Sequence, residues 1–497
     1  TYSSGLQEGG LPWGYDPAIG AGLVVSPYRD IGAKPLQVLG VLLPGASAAT
    51  TVRVFLFLTV LLLPLGSLLA ARLLRLDGEV TFWITASAAS VLWLGWTLQI
   101  YLGWGLVSFV AAAAFAPVVL ALFTRFCRSP AISSYLVFAG SLALLLLLHI
   151  QGPWSLALPL AVLVLAVRPL AWRWRLAAIF APVLAIGLNA FWLIPANLGS
   201  KMPFEPLDPQ ADYPEVKHLT LADLSEFTGQ IDGMWITTRL VILLLALLGL
   251  AALWRRADPL HAWSFGLATG WAFCLSVFGS FMPFFERYQP VRFIVPALVL
   301  LAVPLGSGIA TAVTRLEINP RWFRARFLFA ATMLTLVTFR GPQPLPVPAR
   351  PDALEAFSAT ETRPQARLAI QSADGIDKGG FEGRAMALAY GREIIGCTYP
   401  KVAMPAQFLG DRVLGKLFGE WTPEALAKAL DRWGIDWVFT RTNEAQELVG
   451  RALGSEGLAV GPYQAFRISD DSGRFLVGSG TVQAGVNRLE LRDLQPE

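Results

Sequence analysis

The chain is 497 residues long, 55% hydrophobic and only 15% charged, with a formal net charge of +4. So much apolar surface excludes a soluble domain and points to a polytopic membrane protein. The arginines lie between apolar runs rather than in one patch, which argues against a nucleic-acid footprint. Cys127, Cys274 and Cys397 form no CxxC pair, so neither a zinc knuckle nor a disulfide framework is expected.

Residues 1–50 read as a first extracytoplasmic loop rich in Gly, Pro and aromatic residues, closing on an interfacial helix over Leu36–Leu43. The chain opens on Thr1 with no span before this loop, and the reading expects a fragment that lacks one. From residue 51 to 341 the expectation is a multi-span domain. Apolar windows fall near 53–71, 80–98, 105–124, 131–149, 153–167, 176–195, 236–253, 262–282, 293–313 and 327–340. The window at 153–167 is short.

The arginines test this division. If the first span enters the cytoplasm, the inside turns hold Arg72 and Arg75; Arg125 and Arg128; Arg168, Arg173 and Arg175; Arg255 and Arg256; and Arg315, Arg321, Arg324 and Arg326. The short outside turns Gln99–Trp104 and Ile150–Pro153 hold no Lys or Arg. This is the alternation of the positive-inside rule. It puts residues 1–50, the acidic loop 196–235 and everything after 341 outside the cytoplasm.

A proline-rich exit linker, Pro342–Pro351, leads to a region of different character, and 342–497 reads as a small extracytoplasmic α/β domain. Thr422-Pro423-Glu424 is a helix start, Gly434 ends that helix, Trp437–Thr440 is a buried strand and Asn443 caps another helix. The domain carries neither a Gly-rich phosphate loop nor a nucleophile elbow.

Chemistry concentrates where a polar cluster runs into an apolar run. Glu286-Arg287-Tyr288-Gln289-Pro290-Val291-Arg292-Phe293 opens the window at 293–313. Charges at a membrane boundary are costly unless solvated, paired or bound, and two arginines at a helix head suit a phosphate or pyrophosphate. The plainer alternative is that Glu286 pairs with Arg287 or Arg292 and anchors the span. Arg239, just inside its own window, either snorkels to the surface or meets the same anion as Arg292. His149, Gln151 and Asn189 lie at the outer ends of their windows, as cavity-lining groups or as helix-end caps. Among Glu8, Asp16 and Asp30, a loop carboxylate can serve as general base or hold a divalent metal, against the alternative of a solvated loop or an Asp-Pro turn.

The stretch Gly5–Pro17, with Gly20-Ala21-Gly22, resembles the first outer loop of GT-C-type membrane glycosyltransferases. In particular it is similar to the bacterial and archaeal membrane proteins labelled "6-pyruvoyl-tetrahydropterin synthase-related". That label describes a name and not a pterin site, because the only histidines are His149, His218 and His261. Tyr288–Phe293 is similar to the Arg-Phe element before a late span in oligosaccharyltransferase-like proteins, where the arginine touches a lipid-linked phosphate. Gly396–Pro400, the helix from Thr422, Trp437–Thr440 and Asn487–Glu490 resemble the outer domain of the same proteins.

The resemblance implies many spans, a large first outer loop, and transfer of a sugar from a polyprenyl-phosphate donor at the outer face of the cell membrane. It implies Arg292 at the donor phosphate; on the residues themselves Arg287 and Arg239 are expected to assist there, with Glu286, Tyr288 and Gln289 lining the cavity. The family's carboxylate base follows its first span directly, a position that would precede Thr1. Asp16 is then the nearest candidate, or a neighbour of the true base. Two rival readings remain at this stage: a transporter or flippase for a lipid-linked or anionic solute, and a non-catalytic cell-envelope assembly protein.

Overall fold

The computed structural model describes residues 14–16, 23–25, 34–43, 45–46, 48–94, 102, 106–167, 170–199, 236–281, 290–316, 366–371, 393–396, 408–409, 411–468, 479–485 and 488–495. The described chain is mostly helical, with a smaller sheet region. It divides into two compact units, a helical unit of residues 30–193 and 213–345 and a second unit of residues 1–29, 194–212 and 346–497.

In the helical unit α1 is Lys34–Leu42, α2 Ala48–Leu73, α3 Gly78–Leu94, α4 Val107–Arg128, α5 Ile132–Leu148, α6 Trp154–Ala166 and α7 Trp172–Leu188. After these come α8 Ala190–Gly199, α9 Ile236–Ala252, α10 Pro259–Phe278 and α11 Ile294–Arg315. Each of the first nine apolar windows thus holds a helix; the tenth, 327–340, lies outside the described residues, as do most of the acidic loop and the proline linker. Among the described residues, three helices are long and apolar enough to cross a membrane: Thr50–Leu73, Val107–Arg128 and Ile294–Arg315.

These three differ in surroundings. The apolar windows of α4 and α11 are each 83% buried, against 39% for α2. Small residues explain the difference. Ala111–Ala114 and Ala116 let neighbours close in on α4 from all sides. On α11, a Cβ at Gly308 would meet the Leu245 carbonyl and one at Gly306 the Ile84 backbone, so α9 and α3 touch it main chain to main chain. Gly249 of α9 closes on the Pro304 carbonyl in the same way.

The packing fixes the direction of each helix. Leu63 clusters with Phe109 and Val110, and Gly66 abuts the Ala114 carbonyl, so α2 and α4 run side by side in one direction. Trp174 meets Phe126 edge-on, with ring centroids 6.0 Å apart, which brings the start of α7 to the end of α4. Val313 clusters with Trp83 and sets the end of α11 against the start of α3. A π-helical turn, Leu253–Ala257, joins α9 to α10, and Asp258 at the head of α10 pairs with Arg128 at the end of α4.

Arg72, Arg75, Arg125, Arg128, Arg173, Arg175, Arg255 and Arg315 therefore gather at one end of this unit. Arg53, the turn at 149–153 and Arg292 lie at the other. The arginine-rich end is also where α6 stops short. Arg175 donates from Nη1 to the carbonyls of Val164 (2.7 Å) and Leu165 (2.6 Å), from Nη2 to Val167 (2.7 Å) and from Nε to Leu170 (3.0 Å). These bonds satisfy carbonyls that a helix end leaves without partners.

In the second unit β3 (Arg367–Ile370), β4 (Glu393–Gly396), β8 (Trp437–Thr440), β9 (Leu458–Val460) and β10 (Tyr463–Arg467) form a sheet in the order β4-β3-β8-β10-β9. The first three strands are parallel, and β10 runs antiparallel to both β8 and β9. Alternation covers both faces. Leu368, Ile370 and Phe439 enter one apolar cluster, and Ala369, Val438 and Phe466 enter the other, beneath helices α12 (Pro423–Arg432) and α13 (Asn443–Leu453). Buried Gln371 ties β3 to the loop after β8: its Oε1 accepts from Arg441 N (2.6 Å) and Thr442 N (3.1 Å), and its Nε2 donates to Thr442 Oγ1 (2.9 Å).

The helix caps test the sequence closely. Thr422 Oγ1 accepts from Ala425 N (3.2 Å), Pro423 is the first helical residue, and Gly434 leaves the helix at φ +58°. The expected cap at Asn443 is corrected to Thr442, whose hydroxyl accepts from Ala445 N (3.4 Å). A hydroxyl one residue earlier reaches the same turn and leaves Asn443 as the first helical residue. Short strands β5 (Phe408–Leu409), β6 (Arg412–Val413) and β7 (Lys416–Leu417) form a small separate sheet. β1 (Gly14–Asp16) pairs with β2 (Leu23–Val25), and β11 (Ser479–Gly485) with β12 (Arg488–Gln495), each antiparallel.

Candidate anion site at the head of α11

The arginine-poor end of the helical unit is built from a short 3-10 turn, Pro290–Phe293, that runs into α11. Proline at its first position presets the backbone angle, and Phe293 beside Arg292 is fully buried. Phe293 packs with Leu275, and Trp154 and Trp271 close over the pair. Trp271 Nε1 donates to the Trp154 carbonyl (2.9 Å), pinning α10 to the start of α6. Arg292 is thus held on a turn whose neighbour is a core anchor, with its own side chain half-buried.

His149 ends α5 a short way off. Its ring lies edge-on to Phe109, with centroids 5.1 Å apart, and Phe109 shares a cluster with Ile294 and Val295 at the head of α11. His149 Nδ1 accepts a hydrogen bond from Gln151 N (3.2 Å). A nitrogen that accepts carries no proton, so the proton of the neutral ring is on Nε2. The Arg292 guanidinium lies close enough for its charge to act on this ring. Gln151 is buried beside it.

The structure thus brings Arg292, His149 and Gln151 to one end of one unit. Asn189 has a different part. Its Nδ2 donates to the carbonyls of Ala143 (3.0 Å) and Ala185 (2.9 Å), and its Oδ1 accepts from Trp192 Nε1 (2.8 Å). Both amide protons are committed, so Asn189 is a bracket between α5 and the α7–α8 break, not a donor to a cavity. Arg239 is on the first turns of α9, with its side chain outside the described residues. Glu286, Arg287, Tyr288 and Gln289 fall outside them altogether. Asp16 ends β1, opposite Leu23, and its side chain is likewise not described. Among the described residues no three His, Cys, Asp or Glu side chains gather to hold a metal ion. Phe109 and Trp271 were missed by sequence reasoning; the signal available was an aromatic residue near the end of an apolar window.

A second buried histidine sits at the arginine-rich end. His261, one turn into α10, is 1% exposed, and neither ring nitrogen finds a partner among the described residues; nor does Ser264 Oγ one turn on. Asp258, the N-cap, accepts from Leu260 N (2.7 Å) and from Arg128 Nε (2.7 Å). Burial pushes the Asp258 carboxyl up, but the Leu260 N–H and the Arg128 guanidinium outweigh it and hold the group below the usual carboxylate range.

No protein-family model matches the chain, and no curated protein matches it.

Proposed function

We propose that the chain is an integral-membrane glycosyltransferase of the GT-C type, with about ten spans and an α/β domain outside the cytoplasm. It takes a sugar from a polyprenyl-phosphate donor at the extracytoplasmic face. The observation that carries this reading is the half-buried Arg292 beside the buried His149, at the arginine-poor end of the bundle. The gathering of arginines at the opposite end supports the same orientation, since basic residues favour the cytoplasmic side.

In this reading the donor enters laterally between helices. Arg292, assisted by Arg287 and Arg239, neutralises the phosphate as the glycosidic bond to it breaks. A loop carboxylate, with Asp16 as the candidate in this chain, takes the proton of the acceptor hydroxyl.

The test is transfer from a radiolabelled polyprenyl-phosphate sugar by the full chain in lipid nanodiscs. Arg292→Ala is expected to lower the rate by roughly 100-fold or more while gel-filtration profile and helical content stay unchanged. Wild-type rates in that variant would remove the central residue of the proposal. Movement of the lipid-linked sugar between leaflets without bond cleavage would replace the transferase with a flippase.

A further inference from the structure

We propose that His261 and Ser264 hold internal water, so that the head of α10 carries a hydration site enclosed in the helical unit. The inference stands apart from the function proposed above.

The two residues lie three positions apart on α10, which makes their side chains neighbours on one face. His261 is 1% exposed and Ser264 is fully buried, and Ala262 and Phe265 beside them belong to the main apolar core. Among the described residues, His261 Nδ1, His261 Nε2 and Ser264 Oγ have no hydrogen-bond partner. Buried polar atoms in native proteins are nearly always paired, with protein or with ordered water. The other buried hydroxyls without a partner, those of Ser67, Ser87 and Thr269, each stand alone on their turn. Here three such atoms meet within one turn.

A buried serine has a ready partner in its own helix, the carbonyl of the preceding turn. Ser276 donates to Phe273 (2.8 Å) on the same helix, and Ser307 to Val303 (2.9 Å) on α11. Ser264 makes no such bond. Its hydroxyl is left for a group that the chain does not supply.

The three atoms define the guest. A neutral imidazole donates from one nitrogen and accepts at the other, and a hydroxyl does both. The guest must therefore both donate and accept. Its charge is bounded by the Asp258 cap, which already accepts from Leu260 N and Arg128 Nε, each at 2.7 Å. That pair is balanced, and a bare ion beside it would be buried without a counter-charge. Its size is bounded by burial, since almost nothing of either residue meets the surface. Water meets all three conditions. The ring nitrogens diverge, so each takes its own water. One of these also reaches Ser264: Cβ atoms three apart on a helix are about 5–6 Å from each other, and two hydrogen bonds of about 2.8 Å through one oxygen span that distance.

The test uses the full chain in liposomes with its histidines labelled with nitrogen-15. Solid-state NMR then reads magnetisation passed from water protons to the imidazole nitrogens. The chain has three histidines, and the signals lost in His261→Gln identify those of His261. Both His261 nitrogens should receive magnetisation from water, and Ser264→Ala should weaken one of the two signals and spare the other. If neither nitrogen receives it, the site is dry and the inference falls. Nitrogen shifts of a doubly protonated ring would mean an anionic guest and would also sink it.

Stability gives an answer of opposite sign for the two cases. If water is held, His261→Phe leaves it facing an apolar ring, and the folded-to-unfolded ratio in detergent should drop about fivefold or more. If the site is dry, removing two unanswered nitrogens should raise that ratio. Ser264→Ala asks the same question with the loss of one oxygen, should the Phe variant fail to fold. A rise in either variant overturns the proposal.

Discussion

The two ends of the helical unit each bury a histidine near an arginine, and they hold the ring in different ways. At one end Arg128 is answered within the chain by Asp258, so His261 and Ser264 sit beside a neutral pair. At the other, His149 accepts from Gln151 N at Nδ1 and lies edge-on to Phe109, so its ring is held in one orientation. A buried polar group is therefore a poor guide to a site by itself. What distinguishes the two ends is how the buried ring is held: His149 is anchored by a hydrogen bond and a ring contact, whereas neither nitrogen of His261 finds a partner among the described residues.

The largest expected effect concerns sidedness. In a cysteine-free background, Ile150→Cys should react with an impermeant maleimide in intact cells, and Ala131→Cys only after lysis. The two positions flank α5 at opposite ends, so labelling should be all-or-none. Reaction of both from one side would dissolve the contrast between the ends as a statement about membrane faces.

A middle-sized effect separates the arginines of the rich end from one another. Arg175→Met removes the donor to several carbonyls at the close of α6 and should destabilise by about 3 kcal/mol, since hydrogen bonds from a charged group are the strong ones. Arg173 lies exposed over Trp174, 5.6 Å from the ring centroid, and Arg173→Met should change stability by no more than about 0.5 kcal/mol. Denaturant unfolding in detergent measures both. Equal effects would mean that all the basic residues of this end act only through their charge.

The smallest effect tests the balanced pair. The Asp258 carboxyl is held below its ordinary value in the folded chain. Its stabilisation is therefore complete above the unfolded carboxylate value of about 3.9 and is lost as pH falls through the lower folded value. Both partners are roughly one-third exposed, so screening limits the contribution to about 1 kcal/mol or less. Asp258→Asn should flatten the unfolding midpoint below about pH 4, and an unchanged acid profile would deny the pair any part in balancing that end.

The sequence was most legible where local rules decide. Thr422, Pro423 and Gly434 bound α12 as a capping hydroxyl, a preset first residue and a left-handed exit require. Unbroken apolar windows located the helices whether they are enclosed, as α4 is, or largely uncovered, as α2 is. They were blind to what depends on distant partners. Arg128 reads as a topology signal until Asp258, 130 residues away, is brought against it. Asn189 reads as a cavity polar group until the Ala143 carbonyl arrives to accept from it. Gly249 and Gly308 carry no mark in one dimension that they meet main chain to main chain. For the candidate site, Arg292 and His149 were visible as residue types at window ends, whereas the orientation of the His149 ring needed the Gln151 N–H in place.

The 13 residues of α6 have a consequence for the surrounding lipid. At 1.5 Å per residue the helix is about 20 Å long, against a hydrocarbon core of about 30 Å. On the proposed placement, the Arg175 side chain that closes this helix carries charge toward the middle of the leaflet and draws headgroups and water with it. The bilayer is then thinnest beside α6. Acyl-chain length becomes a variable of the host membrane to which this chain responds: lipids with shorter tails fit that dimple, and longer tails must compress around it.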